Sequence, residues 1–243
     1  MSYNNWLKTG FDDSLAESKT WDNLWRQHFR EYQRDLRHAY FIRAIRRPHE
    51  SRFLEIAAGS FRDTIALNRW GYYSEGIDFS RESVMKAQEL YPLYNDRFKS
   101  MDAGALKYSD KAFDVTFHNG FWGFFDDQQI IKLGLEQRRV TKSRMIATVH
   151  NAHNQSFRQK FIEWGEKDPL YRVRFFTVSE ITALMRQFYR RVTVLPVGGG
   201  RLDAFINRRR NPLLIRYLFW MRLYRRERRI QTSERLMCIG EIV

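Results

Sequence analysis

From Trp21 to Arg46 large apolar and aromatic residues return every three or four positions, at Trp25, Phe29, Tyr32, Leu36 and Tyr40. Arg26, Arg30, Arg34 and Arg37 fall on the other faces, so the spacing predicts one amphipathic helix, stopped by Pro48. Next comes a short apolar run, Arg52-Phe-Leu-Glu-Ile-Ala57, that flows into Ala58-Gly59-Ser60, the signature of a strand entering a tight turn. A helix is predicted over Asp63–Arg69, ended by Gly71. A second strand follows over Tyr72–Phe79, then a helix over Arg81–Leu90 capped by Ser80.

The alternation continues. Short strands are expected at Arg97–Met101, Phe113–His118, Arg144–Val149 and Val192–Val197, with helices at Gln128–Arg139, Phe157–Lys167 and Ser179–Tyr189. A seventh strand closes the chain at Arg235–Val243. Strands that alternate with helices imply crossover connections, hence an α/β fold with a mostly parallel sheet and helices on both faces. Its expected divisions are an N-terminal helical cap over 1–50, a core over 51–200, a basic insertion over 201–234 and the final core strand over 235–243.

Composition adds little until its distribution is considered. The chain of 243 residues is 43% hydrophobic and 29% charged, which is ordinary for a globular protein. The single cysteine, Cys238, excludes an internal disulfide and a cysteine-rich zinc site. The stretch Met1–Asp22 has no continuous apolar core, and a cytoplasmic protein is expected. No ligand pair of the H-E-x-x-H kind is present, so no metal site is expected.

The net charge of +14 is unevenly placed. Arg208-Arg-Arg210 and Arg225-Arg-Glu-Arg-Arg229 bracket the apolar run Pro212–Tyr224, which Arg216 and Arg222 interrupt too often for a membrane span. Read as an interfacial helix, Leu213, Leu214, Leu218, Trp220 and Leu223 enter a headgroup boundary while the arginines of 208–229 meet an anionic membrane surface. Read as a nucleic-acid arm, the arginines contact phosphates and Tyr217, Trp220 or Tyr224 stack on bases. A third reading packs the run on the body with its arginines solvated. The membrane reading is preferred over nucleic acid.

The chemistry concentrates at Glu55-Ile-Ala-Ala-Gly-Ser-Phe61, at the carboxyl end of the first strand, where open parallel sheets bind ligands. Gly59 there is expected to let the backbone approach a ligand. Asp78, at the end of the second strand, is placed to accept hydrogen bonds from a ribose diol. At these residues the sequence resembles the class I, Rossmann-like S-adenosylmethionine-dependent methyltransferases. Leu54–Thr64 resembles their first motif, an acid followed by alternating glycines, and Gly76-Ile-Asp78 resembles their ribose-binding strand. Asp102-Ala103 resembles the adenine-contacting position, Phe113-Asp-Val115 resembles the start of the family's strand four, and His118-Asn-Gly120 follows where its fourth motif sits.

The resemblance covers roughly residues 50 to 197 and the closing strand. It implies a seven-stranded sheet whose last strand runs antiparallel between strands five and six. S-adenosyl-L-methionine is the implied cofactor, held by Glu55, Ala57, Gly59, Ser60, Asp78, Phe79, Asp102, Ala103 and Asn119. Two of the family's glycines are replaced, by Ala57 and Phe61, and the Phe61 ring is expected to narrow the pocket or cover the adenosine.

Methyl transfer to oxygen or nitrogen is the implied reaction, with positioning supplying much of the rate. A hydroxyl acceptor benefits from a base; His118 and His150, at the ends of the fourth and fifth predicted strands, are the candidates, with His153 on the next loop. Phe121, Trp122, Trp21 and Trp25 are placed to wall an acceptor site, and Phe124 and Phe125 are read as core. A nicotinamide dehydrogenase would carry G-x-G-x-x-G and a nucleophile-elbow hydrolase G-x-S-x-G; neither is present. The competing readings are an RNA or other nucleic-acid methyltransferase, and a catalytically silent binding module with the pocket closed by Phe61.

Overall fold

A computed structural model describes residues 18–199 and 229–242, together with Leu213, Tyr217 and Met221. The basic segment on which the membrane and nucleic-acid readings rest lies largely outside the described residues. Within it, Leu213 and Tyr217 are exposed and Met221 is partly buried.

The chain begins with helices α1 (Ser18–Tyr32) and α2 (Arg37–Ile45), then alternates through β1 (Arg52–Ile56), α3 (Arg62–Arg69), β2 (Tyr73–Asp78), α4 (Arg81–Leu90) and β3 (Phe98–Ser100). The second half contains β4 (Phe113–Asn119), α5 (Asp127–Val140), β5 (Thr141–Asn151), α6 (Gln155–Gly165), β6 (Phe175–Phe176), α7 (Val178–Met185), β7 (Arg191–Val197) and β8 (Arg235–Glu241). The main path of the sheet is β3-β2-β1-β4-β5-β8-β7, with β6 paired to β5. Strands β1 to β6 pair in parallel, and β8 runs antiparallel to both β5 and β7.

Among the described residues eight strands are present where seven are predicted. The extra one, β6, has two residues, too short for any hydrophobic period to reveal. The first predicted helix is also divided, between Tyr32 and Arg37. Asp35 explains the break: its carboxylate accepts the Arg37 backbone N–H at 3.1 Å and also binds the Arg37 guanidinium. A side chain that captures a backbone donor this way offers the chain an alternative to the helical ladder.

The sheet is covered on both faces, so β1 reads as a short apolar run, and the polar positions of β4, Asp114, Thr116 and His118, are buried along with its apolar ones. One core layer joins Tyr40, Phe41 and Ile42 of α2 to Phe53, Phe117, Ile146 and Met237. The other joins Trp122 and Ile130 to Met145, Val149, Ile181 and Leu236. Among the described residues no helix is long and apolar enough to cross a membrane.

This order fixes where a site lies. Strand β1 is flanked by β2 and β4, so successive connections leave it in opposite directions and open a crevice at the carboxyl ends of these strands. Because β8 is antiparallel, its amino-terminal residue Arg235 lies at the same edge, opposite His150 of β5.

Candidate active site

The turn after β1 alternates left-handed residues: Ala57, Gly59 and Phe61 have φ of 50°, 56° and 56°. This backbone keeps the shape of an alternating-glycine loop although two of its three left-handed positions carry side chains. Hydrogen bonds impose it. The Asp78 carboxylate accepts the Gly59 N–H at 2.7 Å and the Ser80 N–H at 2.9 Å, and the Ala58 N–H donates to the Ile77 carbonyl at 2.9 Å. Glu55 secures the other side, accepting from the backbone N–H and the hydroxyl of Thr64 at 2.8 and 2.6 Å.

Burial dominates the titration of both carboxyls. It lifts Asp78 to about 6 against the pull of the Ser80 and Gly59 amides, with Asp22 adding to the rise. Burial and then the neighbouring Asp63 raise Glu55 well above its ordinary value.

Phe61 does not narrow the pocket. Its left-handed backbone turns the ring down into the core, where it meets Phe98 edge-on at 5.1 Å and lies over Gly76. Gly59 also departs from expectation: its open face receives the protein's own Trp25, whose ring comes within 2.2 Å of where a Cβ would stand. The close approach that glycine allows is therefore to an indole of α1.

Above this loop lies a cavity of about 450 Å³. Eight of the nine residues expected at the cofactor line it, namely Glu55, Ala57, Ser60, Asp78, Phe79, Asp102, Ala103 and Asn119; Gly59 does not. These residues come from the ends of β1, β2, β3 and β4 and form one half. Asn119 is one of the lining residues, and its Oδ1 is shut off from solvent with no partner among the described residues.

The other half is aromatic, with Phe121, Phe124, Phe125, Phe161 and Tyr171 beside His150 and Arg235. Phe124 and Phe125 are thus partly buried wall residues rather than core; Trp122 takes the core position of that segment. Helix α1 roofs the cavity with Trp21, Trp25 and Tyr32. It is tied down by Asp22, which accepts from the Ser80 hydroxyl at 2.5 Å and the Glu82 N–H at 3.2 Å, and by the Trp21–Phe124 edge contact at 5.0 Å.

The two histidines separate. His118 is fully buried, packed among Phe121 and Trp122, and is not a lining residue; both its ring nitrogens lack partners among the described residues. Burial and then His38 hold its pKa down to about 3. Having no route to the cavity, it is withdrawn as a candidate base. His150 lines the cavity. Burial and then the Arg235 charge depress its pKa well below the usual range, so it stays a neutral imidazole. His153 points elsewhere, its Nε2 accepting the Val178 N–H at 3.2 Å.

The geometry is that of one crevice at the carboxyl ends of the parallel strands, lined by carboxylates on one side and by aromatic rings on the other. Residues 54–146 match the family model described as a methyltransferase domain. Over these residues the chain carries a methyltransferase domain, and its fold is the class I, Rossmann-like one. S-adenosylmethionine is the cofactor of such a domain, and the carboxylates and small residues of the first half fit it.

A methyltransferase fold extends over nearly the whole chain. A SAM-dependent methyltransferase from Archaeoglobus fulgidus superposes with a TM-score of 0.62 at 13% identity, covering 91% of this chain and 97% of that one. A SAM-dependent methyltransferase from Thermotoga maritima, described as a possible histamine N-methyltransferase, gives 0.60 at 17% identity over 90% and 98%. Geranyl diphosphate C-methyltransferase from Streptomyces coelicolor A3(2), with S-adenosyl-L-homocysteine bound, gives 0.53 at 14% identity over 85% and 78%. No curated protein sequence matches the chain. At these identities the likeness establishes the fold.

Sequence reading missed Arg235, Arg62, Phe161 and Tyr171, all of which line the methyltransferase cavity. Arg235 follows a long basic stretch and is camouflaged by it. Phe161 lies on α6 and Tyr171 on the short turn of helix that follows it, and no local period records that this stretch packs over the crevice.

Proposed function

We propose that this methyltransferase moves a methyl group to an oxygen or nitrogen nucleophile held in the aromatic half of its cavity. The observation that carries this reading is the division of one continuous cavity. Its Glu55, Asp78, Asp102 and Asn119 half suits an adenosyl amino acid, and its aromatic half contains a neutral imidazole.

Asp78 is the acceptor for the ribose hydroxyls, and Asp102 and Ala103 lie where the adenine would rest. Ala57 and Ser60 face the amino-acid end, with the Asn119 Oδ1 available to an ammonium donor. When bound, S-adenosylmethionine supplies an electrophilic methyl on a sulfonium, whose C–S bond breaks as the bond to the acceptor forms. His150 is placed to take the proton of a hydroxyl acceptor once a bound anion offsets the Arg235 charge that helps hold its pKa down, and the roof of Trp21, Trp25 and Tyr32 excludes water while the acceptor is aligned.

We further propose that the acceptor is membrane-proximal, such as a lipid-linked glycan, on the strength of the arginine-flanked apolar run 208–229. Co-sedimentation with anionic vesicles that leaves a salt-resistant fraction supports this. A steep, complete loss with salt favours a nucleic-acid partner instead.

Calorimetric titration of S-adenosylhomocysteine tests the donor half. Binding is expected in the wild type and a loss of at least about tenfold in Asp78→Ala, on the scale of a lost hydrogen bond to a charged group. For the acceptor half, His150→Gln is expected to slow methylation of hydroxyl acceptors by about 10²-fold or more, without weakening the donor. Unchanged rates would remove His150 from the mechanism.

A further inference from the structure

Three half-buried or buried arginines around the sheet have carboxylate partners: Arg144 with Glu50, Arg37 with Asp35, Arg174 with Asp127. Arg235 stands apart. Its Nη1 is shut off from solvent and has no hydrogen-bond partner among the described residues, although the side chain lines the cavity.

The surroundings explain why no internal group neutralises it. Its chain neighbour Glu234 is turned to Arg37, at 3.4 Å. Tyr32 stays a neutral phenol, since burial and then Tyr171 push its pKa up. Arg62 adds positive charge rather than removing it. Burial draws the Arg235 pKa down to about 10, so the guanidinium still carries its charge near neutrality. An unpaired cation in a desolvated wall is costly, and the cost is relieved when an anion docks.

The placement is as informative as the charge. Arg235 and His150 are directly opposed on the antiparallel β8/β5 pair, so their side chains leave the same face as neighbours. Both come to one point: a Cβ added to Gly120 would stand 3.2 Å from Arg235 Nη1 and 3.4 Å from His150 Cε1. Gly120, with φ of 86°, both turns the chain and leaves that space open.

We infer that Arg235 selects the methyl acceptor: the acceptor is an organic anion whose carboxylate or phosphate docks on this guanidinium beside His150, with its apolar body against Phe124, Phe161 and Tyr171. Guanidinium suits the role because its planar donors match an oxyanion's geometry. The inference rests on the methyltransferase reading, since it assigns the other half of the cavity to the methyl donor.

The test uses the full chain saturated with S-adenosylhomocysteine and three probes of similar size, benzoate, phenyl phosphate and uncharged benzamide, titrated by calorimetry. At least one anion is expected to bind on the order of tenfold more tightly than benzamide. Arg235→Met should erase that preference while S-adenosylhomocysteine affinity holds, and Arg235→Lys should keep part of it. Equal binding of benzamide and both anions to the wild type overturns the inference, as does an anion preference that survives in Arg235→Met. Should Arg235→Met fail to fold, the wild-type comparison and Arg235→Lys still decide. If S-adenosylhomocysteine itself does not bind, the donor reading has failed, and anion preference measured without it still judges Arg235.

Discussion

The Trp25 ring occupies the space that a side chain on Gly59 would need, with its Cζ2 2.2 Å from the Cβ position. The roof helix α1 thus rests directly on the loop that shapes the donor half of the site. Gly59→Ala should push the indole away and also strain a backbone with φ of 56°. Its expected cost is about 1–3 kcal/mol by denaturant titration. Adding Trp25→Ala removes the clash and leaves the strain, so the double variant should be clearly less damaged than the sum of the two single variants. Additive losses would mean that the roof and the loop are uncoupled.

Ala57 and Phe61 share Gly59's left-handed backbone, yet restoring glycine should act oppositely at the two positions. Ala57 loses only a methyl group, so Ala57→Gly relieves a conformation that L-residues adopt at a penalty. It should stabilise by about 0.5–1 kcal/mol. Phe61 is fully buried against Phe98, and Phe61→Gly should cost about 3 kcal/mol or more, because the lost packing exceeds the relieved strain. Thermal melts of the two variants shifting in the same direction would refute this.

The contrast shows what the sequence could and could not convey. Strand β1 was legible because a strand buried on both faces reads as an apolar run, β4 because Phe113, Val115 and Phe117 recur at every second position, and the acids Glu55 and Asp78 stand near the ends of β1 and β2. The Ser80 cap was legible because capping is local. The direction of the Phe61 ring was not, since it follows from a φ angle imposed by the hydrogen bonds around Asp78. Nor was the seat of Trp25, which joins residues 34 positions apart. His118 and His150 looked alike because both end a strand; only the three-dimensional packing buries one behind Phe121 and Trp122 and exposes the other to the cavity.

At the amino-terminal ends of β1 and β5, away from the site, Glu50 and Arg144 form a buried ion pair, with Glu50 also accepting the Arg47 N–H at 2.8 Å and Arg144 donating to the Ile45 carbonyl at 3.0 Å. The pair fastens the end of α2 to the start of β5. Glu50→Gln leaves a buried guanidinium uncompensated and should cost about 3–5 kcal/mol. Combining Glu50→Leu with Arg144→Met should recover part of that loss. Denaturation midpoints would show it; a Glu50→Gln variant as stable as the wild type would reduce the pair to ornament.

Donor affinity should depend on pH through Asp78. Burial raises this carboxyl from 3.8 to about 6, and only the ionised form can accept from two ribose hydroxyls while holding the Gly59 and Ser80 amides. S-adenosylhomocysteine binding should therefore be constant above about pH 7 and weaken by up to about tenfold per pH unit below 6. Stability responds with the opposite sign. Because the folded state holds this proton more tightly than the unfolded chain, the contribution from Asp78 is fully present below pH 3.8 and lost as pH rises through 6. Asp78→Asn should flatten both responses and bind the donor weakly at every pH. Calorimetric titration of S-adenosylhomocysteine between pH 5 and 8 separates the cases: affinity independent of pH in the wild type would remove Asp78 as the group whose ionisation gates the donor.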